Sequence, residues 1–391
     1  MLEFLKSLWI IIGCTIVVFC LLEICARMVG PHILYEKKQA YSPGDSLVER
    51  KNFIPDAYAN ANWFSDLKRD YRNYTNHIKK DEGHSYLHWD NSPFNSKYIN
   101  NDFIDSKNGK LVFRRSWEVN TLNTPSEHVN LYFFGGSTMW GYGARDEYTI
   151  PSCVIKILSQ EYGIQARAFN FGVLGFQSTQ EVISLFKKIH VFDKDRGKKI
   201  VIFLDGLNDI WTGLSQSSSM DLMIGKSALR WRFTYSNFIR NALSKLKSIQ
   251  LLSLIFKVNK DIPYSNHLSR EIIKNYKMNQ YLSEAICASR NILSLHYWQP
   301  LLATKKHLSN YEKKELNFSK IYQKGLSVSK HTCSTISHHI SSYKFHNISN
   351  IFDKYKTSMY IEPVHYTEEG NRIIATRIAL DIKKVILDQK L

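Results

Sequence analysis

Apolar and polar positions along this chain follow two regimes that meet near residue 127. Beyond it, short and largely apolar runs alternate with longer amphipathic stretches. The runs cover residues 129–134, 166–171, 199–204, 292–298 and 348–352. Their length and their content of aromatic and β-branched residues predict strands. The stretches between them predict helices. One begins at Thr149-Ile150-Pro151, with proline at an early helical position. Another covers about 179–189. The last covers about 368–387, with Thr367 as its N-cap and Glu368 and Glu369 at its positive end. Strands that alternate with helices and are apolar on both faces predict an α/β domain with a parallel sheet covered on both sides. In such sheets ligands bind off the carboxyl ends of the strands, so chemistry is sought there.

The first 126 residues read differently. Residues 8–22 carry no charge, and the apolar segment extends to about Ala26 if Glu23 is tolerated. About 19 helical residues span roughly 28 Å, close to a bilayer core. The residues that follow, Glu23-Ile24-Cys25-Ala26-Arg27, make a poor cleavage site. Residues 1–30 are therefore expected to be an uncleaved transmembrane signal anchor. Lys6 before the run is balanced by Arg27, Lys37 and Lys38 after it, so charge does not set the orientation. Residues 31–126 are rich in Asn, Asp, Lys and Tyr and show no long helical period. They are expected to form either an irregular linker with short strands or a cover packed on a catalytic domain that occupies 127–391.

Composition sharpens this picture in one place. The 391-residue chain is 44% hydrophobic and 22% charged, enough apolar material for a globule, and its net charge is +17. Residues 212–330 hold nineteen Lys and Arg against six Asp and Glu. A basic helical insert at about 212–290 lies within that region. There Tyr235, Phe238, Ile239, Ala242, Leu243, Leu246 and Ile249 recur at helical spacing, with Arg240, Lys245 and Lys247 among them. Two readings stand: a basic amphipathic helix on an anionic membrane surface, or a lid helix packed on the core. Cys14, Cys20 and Cys25 lie in the apolar segment, and Cys153, Cys287 and Cys333 are scattered. That spacing speaks against a zinc site or a disulfide framework.

Four groups of chemically competent residues sit at the predicted strand ends. The first strand ends in Gly135-Gly136-Ser137, where two glycines permit a tight turn around an exposed hydroxyl. The second ends with Asn170, Gly172 and Gly175. The third ends in Gly206-Leu207-Asn208-Asp209. Glu362-Pro363-Val364-His365 precedes the last helix. Each has an ordinary alternative as a turn or a cap. Their recurrence at successive strand-to-helix junctions favours a site.

With these blocks the chain resembles the SGNH/GDSL hydrolases, of the membrane-anchored, envelope-associated type. Gly136-Ser137-Thr138 is similar to the family's first block, and Asn170 with Gly175 to the second. Gly206 to Asp209 meets the third, and Glu362 to His365 meets the last with Glu in place of Asp. The resemblance covers about residues 129–391. It implies a flavodoxin-like three-layer sandwich and a serine esterase or acyl hydrolase with Ser137 as nucleophile and His365 as base. Glu362 is implied as the orienting acid, a role another acid or a carbonyl could fill. The oxyanion hole is implied at the backbone N–H groups of Ser137 and Gly175 and the amide of Asn208. No metal or organic cofactor is needed.

The expected substrate is an acyl, above all acetyl, ester on an envelope polysaccharide, glycolipid or lipid. The domain is expected outside the cytoplasmic membrane, with anionic surface contact through 212–330 and no nucleic-acid partner. An O-acyltransferase with the same residues and a non-catalytic glycan-binding envelope protein are the alternatives.

Overall fold

The computed structural model describes residues 53–78, 87, 89–106, 109–118, 128–192, 197–215, 265–318 and 320–388, with a few positions between 17 and 24. The chain divides into two compact units, Met1–Tyr41 with Lys226–Ile262, and Ser42–Gly225 with Pro263–Leu391. In the first, only residues 17, 18, 21, 23 and 24 are described, all helical. The anchor expected at 8–26 lies almost wholly outside the described residues, and the amphipathic stretch at 235–249 lies entirely outside them. Among the described residues no helix is long and apolar enough to cross a membrane.

The second unit is built on a seven-stranded, mainly parallel sheet. Its strands are β1 (Asn101–Ser106), β2 (Gly109–Arg114), β3 (Val129–Gly135), β4 (Ala166–Asn170), β5 (Lys198–Asp205), β6 (Leu293–Trp298) and β7 (Phe345–Asn347). They lie in the order β1-β2-β4-β3-β5-β6-β7. The strands from β4 to β7 are parallel, whereas the β1–β2 hairpin joins antiparallel to β4 with Arg114 opposite Asn170. Among themselves the parallel strands run 2-1-3-4-5, the flavodoxin-like order. That order places the topological switch between β3 and β5.

The helices are α1 (Phe64–Ile78), α2 (Ser137–Trp140), α3 (Ile150–Tyr162), α4 (Ser178–Phe192), α5 (Leu207–Ser215), α6 (Ser265–Ala288), α7 (Asn310–Phe318), α8 (Lys320–His339) and α9 (Glu368–Asp388). Side chains alternate across β3. Leu131 and Phe133 point into a core with Val154 and Leu158 of α3 and Ile374 and Ile378 of α9. Tyr132 and Phe134 point the other way, onto Leu185, Ile189 and Phe192 of α4 and Cys287 of α6. Two buried faces explain why these strands read as continuous apolar runs. The Thr367 cap forms as expected, its Oγ1 accepting from Gly370 N at 3.0 Å, and Thr149 Oγ1 likewise accepts from Ser152 N at the start of α3.

Two expectations are corrected. The fifth parallel strand is Phe345–Asn347, not 348–352. Ile348 and Phe352 are buried, but Ile351 N donates back to Ile348 O, so the segment turns as its three-and-four residue spacing favours. The stretch read as lacking a long helical period contains α1, beside short strands that form the β1–β2 hairpin. Phe64, Leu67, Tyr71 and Tyr74 form the buried face of α1 and pack on Trp140, Tyr142 and Ile361. Tyrosine fills this face as a hydrophobe, with Tyr74 stacked on Trp140 at 4.8 Å.

The hairpin ends in Arg114, which is fully buried. Its Nε donates to Asp146 Oδ1 at 2.9 Å, Nη1 to the carbonyls of Trp140 and Gly141, and Nη2 to that of Ala144. Breaking this buried ion pair takes the side-chain donor from Gly141 O and Ala144 O and leaves Asp146 and Trp140 O with only Asn100 and Asn170 as side-chain donors among the described residues. Arg114→Met is therefore expected to lower the unfolding free energy by about 3–5 kcal/mol. The neighbouring Arg115 pairs with Asp102 on an exposed face, and Arg115→Met should cost less than about 1 kcal/mol. Urea denaturation of the two variants measures the contrast.

Candidate active site

The site forms where β3, β4 and β5 end. Gly136 is extended, and the single turn α2 starts at Ser137. A Cβ on Gly136 would lie 2.3 Å from Asn208 Nδ2 and 3.0 Å from Phe176 O, so glycine is what lets the Asn208 amide approach the Ser137 turn. After α2 the chain reverses at Gly141, whose φ of +98° is readily reached only by glycine. Ser137 is half-exposed, while Thr138, Met139 and Trp140 beside it are buried.

His365 arrives on a tight loop. Ile361 N donates to His365 O at 2.9 Å, Tyr360 bridges Tyr366, and Thr367 N donates to Met359 O at 2.8 Å. This loop turns the imidazole so that Nε2 lies 2.6 Å from Ser137 Oγ. Nδ1 faces Glu362 Oε1 in a close contact, and the same oxygen accepts the His365 backbone N–H at 2.8 Å. Glu362 and His365 are both buried. The carboxylate can only accept, so Nδ1 carries the proton and Nε2 is left to accept from the serine hydroxyl. The extra methylene of Glu relative to Asp is thus accommodated, because one oxygen meets both the ring and the main chain. Glu362 Oε2 is buried and has no hydrogen-bond partner among the described residues.

Tyr142 stacks on the His365 ring with centroids 4.0 Å apart and is itself wedged against Tyr71. One face of the imidazole is thereby shielded from water. Nothing in the motif blocks pointed to Tyr142. Its signal is the Gly141-Tyr142-Gly143 context, where an aromatic sits between two residues of positive φ.

The remaining expected residues divide by role. Gly175 is exposed, with φ +78°, and Asn208 is half-exposed, so both face the mouth at the switch point. Asn208 Nδ2 donates to Phe176 O at 2.5 Å, and its second hydrogen is available for another acceptor. Asn170 is fully buried and does not meet Ser137. Its amide donates to Met139 O and Trp140 O, and its Oδ1 accepts Gly172 N, so it ties α2 to the end of β4. Asp209 accepts from Ser178 Oγ at 2.5 Å and fixes the start of α4 rather than facing Ser137.

Behind Asn208 lies a group of buried acids. Burial raises Glu181 well above the usual carboxylate range, and Asp205 beside it adds to the effect. Burial likewise raises Asp205 to about 7 and Asp209 to about 6, the latter against the Ser178 hydrogen bonds that lower it.

No family model and no curated protein matches the chain. Similar solved structures include a member of the lipolytic protein G-D-S-L family from Veillonella parvula, at 12% identity over 63% of this chain and 94% of that one, with a TM-score of 0.33. A putative lipolytic protein of the same family from Desulfitobacterium hafniense is similar at 10% identity, covering 64% of this chain and 98% of its own, with a TM-score of 0.33. An acetylxylan esterase from Geobacillus stearothermophilus shares 13% identity over 65% of this chain and 93% of its own, at a TM-score of 0.32.

The buried acids generate a pH dependence. A carboxyl whose folded value is raised supports full stability below its unfolded value near 4, and that stability is lost as pH rises through the folded value. For Asp205 the window runs from about 4 to about 7. Wild-type unfolding free energy should fall across it. Asp205→Asn should flatten the fall by at least about 1 kcal/mol, the worth of a one-unit shift. Denaturation midpoints at pH 5 and pH 8 test this. An identical decline in both proteins would sink the assignment.

Proposed function

We propose that this chain is a serine esterase of the SGNH type that removes acyl groups from an acylated carbohydrate or lipid. The observation that supports this reading best is the 2.6 Å contact between Ser137 Oγ and His365 Nε2, with Glu362 on the far side of the ring. Ser137 Oγ attacks the ester carbonyl as His365 Nε2 takes its proton. Glu362 holds the Nδ1 tautomer and stabilises the imidazolium. Negative charge on the tetrahedral intermediate meets the N–H groups of Ser137 and Gly175 and the free amide hydrogen of Asn208. Collapse expels the alcohol, which receives the proton from His365. Water then repeats the sequence on the acyl-enzyme, and the base returns to its starting state.

In this reading residues 8–26 anchor the domain outside the cytoplasmic membrane, the basic 212–330 region meets anionic envelope surface, and the substrate is an acetylated envelope polysaccharide, glycolipid or lipid ester. The acetylxylan esterase among the similar structures accords with an acetyl ester on a glycan.

Two variants test the mechanism on an activated acetyl ester. Ser137→Ala is expected to lower kcat by about 10⁴-fold or more with an unchanged melting temperature. Activity close to wild type would refute the mechanism. Glu362→Gln is expected to cost about 10³–10⁴-fold, because the amide neither stabilises the imidazolium nor enforces the tautomer. A loss below about threefold, under 1 kcal/mol of barrier, would make the site a Ser–His dyad.

A further inference from the structure

The turn that carries Gly175 is held from outside the parallel sheet. On the sheet side, Gly172 N donates to Asn170 Oδ1 and Val173 N to Gly135 O, each at 3.0 Å. On the other side, Gly172 O accepts from Asn91 Nδ2 at 2.9 Å, and Leu174 O accepts from Trp89 Nε1 at 2.8 Å. The indole also lies against the turn itself. A Cβ built on Gly175 would meet Trp89 Cζ2 at 3.6 Å and, among the described residues, no other atom within 4 Å. Trp89 meets Phe176 edge to face at 5.9 Å, over a small core of Leu87, Val173 and Phe176.

The donating segment is itself firmly fixed. Asp90 pairs with the buried Lys188 of α4 at 2.6 Å. Asn91 Oδ1 accepts from Tyr74 of α1 at 2.9 Å, and Asn101 of β1 donates to Ser92 O at 2.9 Å. Gln180 Nε2 donates to Leu87 O at 3.1 Å. Helix α1, the β1–β2 hairpin and α4 all converge on residues 87–92.

The Leu174 carbonyl and the Gly175 N–H belong to one planar trans peptide and point in opposite directions. Holding one aims the other. Gly175, with φ +78°, has no side chain to restrict that peptide. We propose that Trp89 is a positioning residue of the oxyanion site: its indole N–H holds the Leu174 carbonyl and so aims the Gly175 N–H, while Asn91 fixes the other end of the turn at Gly172. This role rests on the reading of Ser137, Gly175 and Asn208 given above. It extends the functional unit into the N-terminal cover.

The test uses the full chain with Trp89→Phe, which keeps an aromatic ring and removes the donor, and Asn91→Ala. A second replacement of Trp89 by benzothienylalanine, with sulfur in place of N–H, keeps volume and covers the case in which Trp89→Phe does not fold. On an activated acetyl ester, kcat should fall about 10- to 100-fold, within the worth of one oxyanion donor. KM should stay within about threefold. Amide hydrogen exchange over 172–176 should speed up at least about tenfold while α3 and α9 stay protected, because only the turn is released. Unchanged kcat and exchange, with Ser137→Ala inactive, overturn this role and leave the esterase reading standing. A raised KM with retained kcat also overturns it, since Trp89 would then be a substrate wall. An active Ser137→Ala protein overturns the esterase reading, and this role with it.

Discussion

A buried guanidinium is costly to leave unpaired, and much of the arrangement around Ser137 follows from how Arg114 is accommodated. Its side chain is fully buried, so its donors turn to protein acceptors. Four of its five N–H groups reach the Asp146 carboxylate and the carbonyls of Trp140, Gly141 and Ala144, while its Cζ lies 4.2 Å from the centroid of the Trp140 ring. Asp146 in turn accepts from Asn100 at 2.7 Å, and its carbonyl receives Ser152 at the start of α3. One ion pair thereby fastens the hairpin, the loop after Ser137 and the N-terminus of α3. Tyr142, which shields His365, sits in the middle of the fastened loop. The geometry around Ser137 is thus borrowed from a strand that precedes the parallel sheet in sequence.

The parallel sheet was legible because its physics is local. Buried strands of β-branched and aromatic residues, a threonine cap at each of two helix starts, and glycines at strand ends all write themselves into short windows. The blocks around Ser137, Asn208 and His365 were legible for the same reason, and the structure brings Ser137, His365 and Glu362 into contact. Helix α1 was missed because its buried stripe is half tyrosine, a residue that counts as polar in a pattern and as apolar in a core. Strand β7 was displaced because it has only three residues, Phe345-His346-Asn347, whereas the more apolar turn after it looks more like a strand. Arg114, Trp89 and Tyr142 act through contacts across 26 to 223 residues of sequence, and apart from the glycines that flank Tyr142 no local pattern announces them.

The site also shows how a fold concentrates cost next to chemistry. Gly136 and Gly172 give up side-chain packing so that the Asn208 amide and the Trp140 backbone can come close, and Gly175 takes a positive φ that other residues rarely adopt. Glu181, Asp205 and Asp209 are taken out of water directly behind that point, and burial favours their neutral forms. Such features are tolerated only where the surrounding structure over-determines the backbone. Here that surrounding structure is the pair of helix layers on the sheet together with the aromatic cover of α1.

The contact between Ser137 and His365 joins residues 228 positions apart. A ribosome adding about 5–20 residues per second needs roughly 10–50 s to travel that distance. For the whole of that time Ser137 has been made and His365 has not. On the proposed esterase reading the nascent chain therefore carries an inert hydroxyl past the synthetic machinery and any ester it meets, and would become reactive only when the loop of His365 closes onto the end of β3.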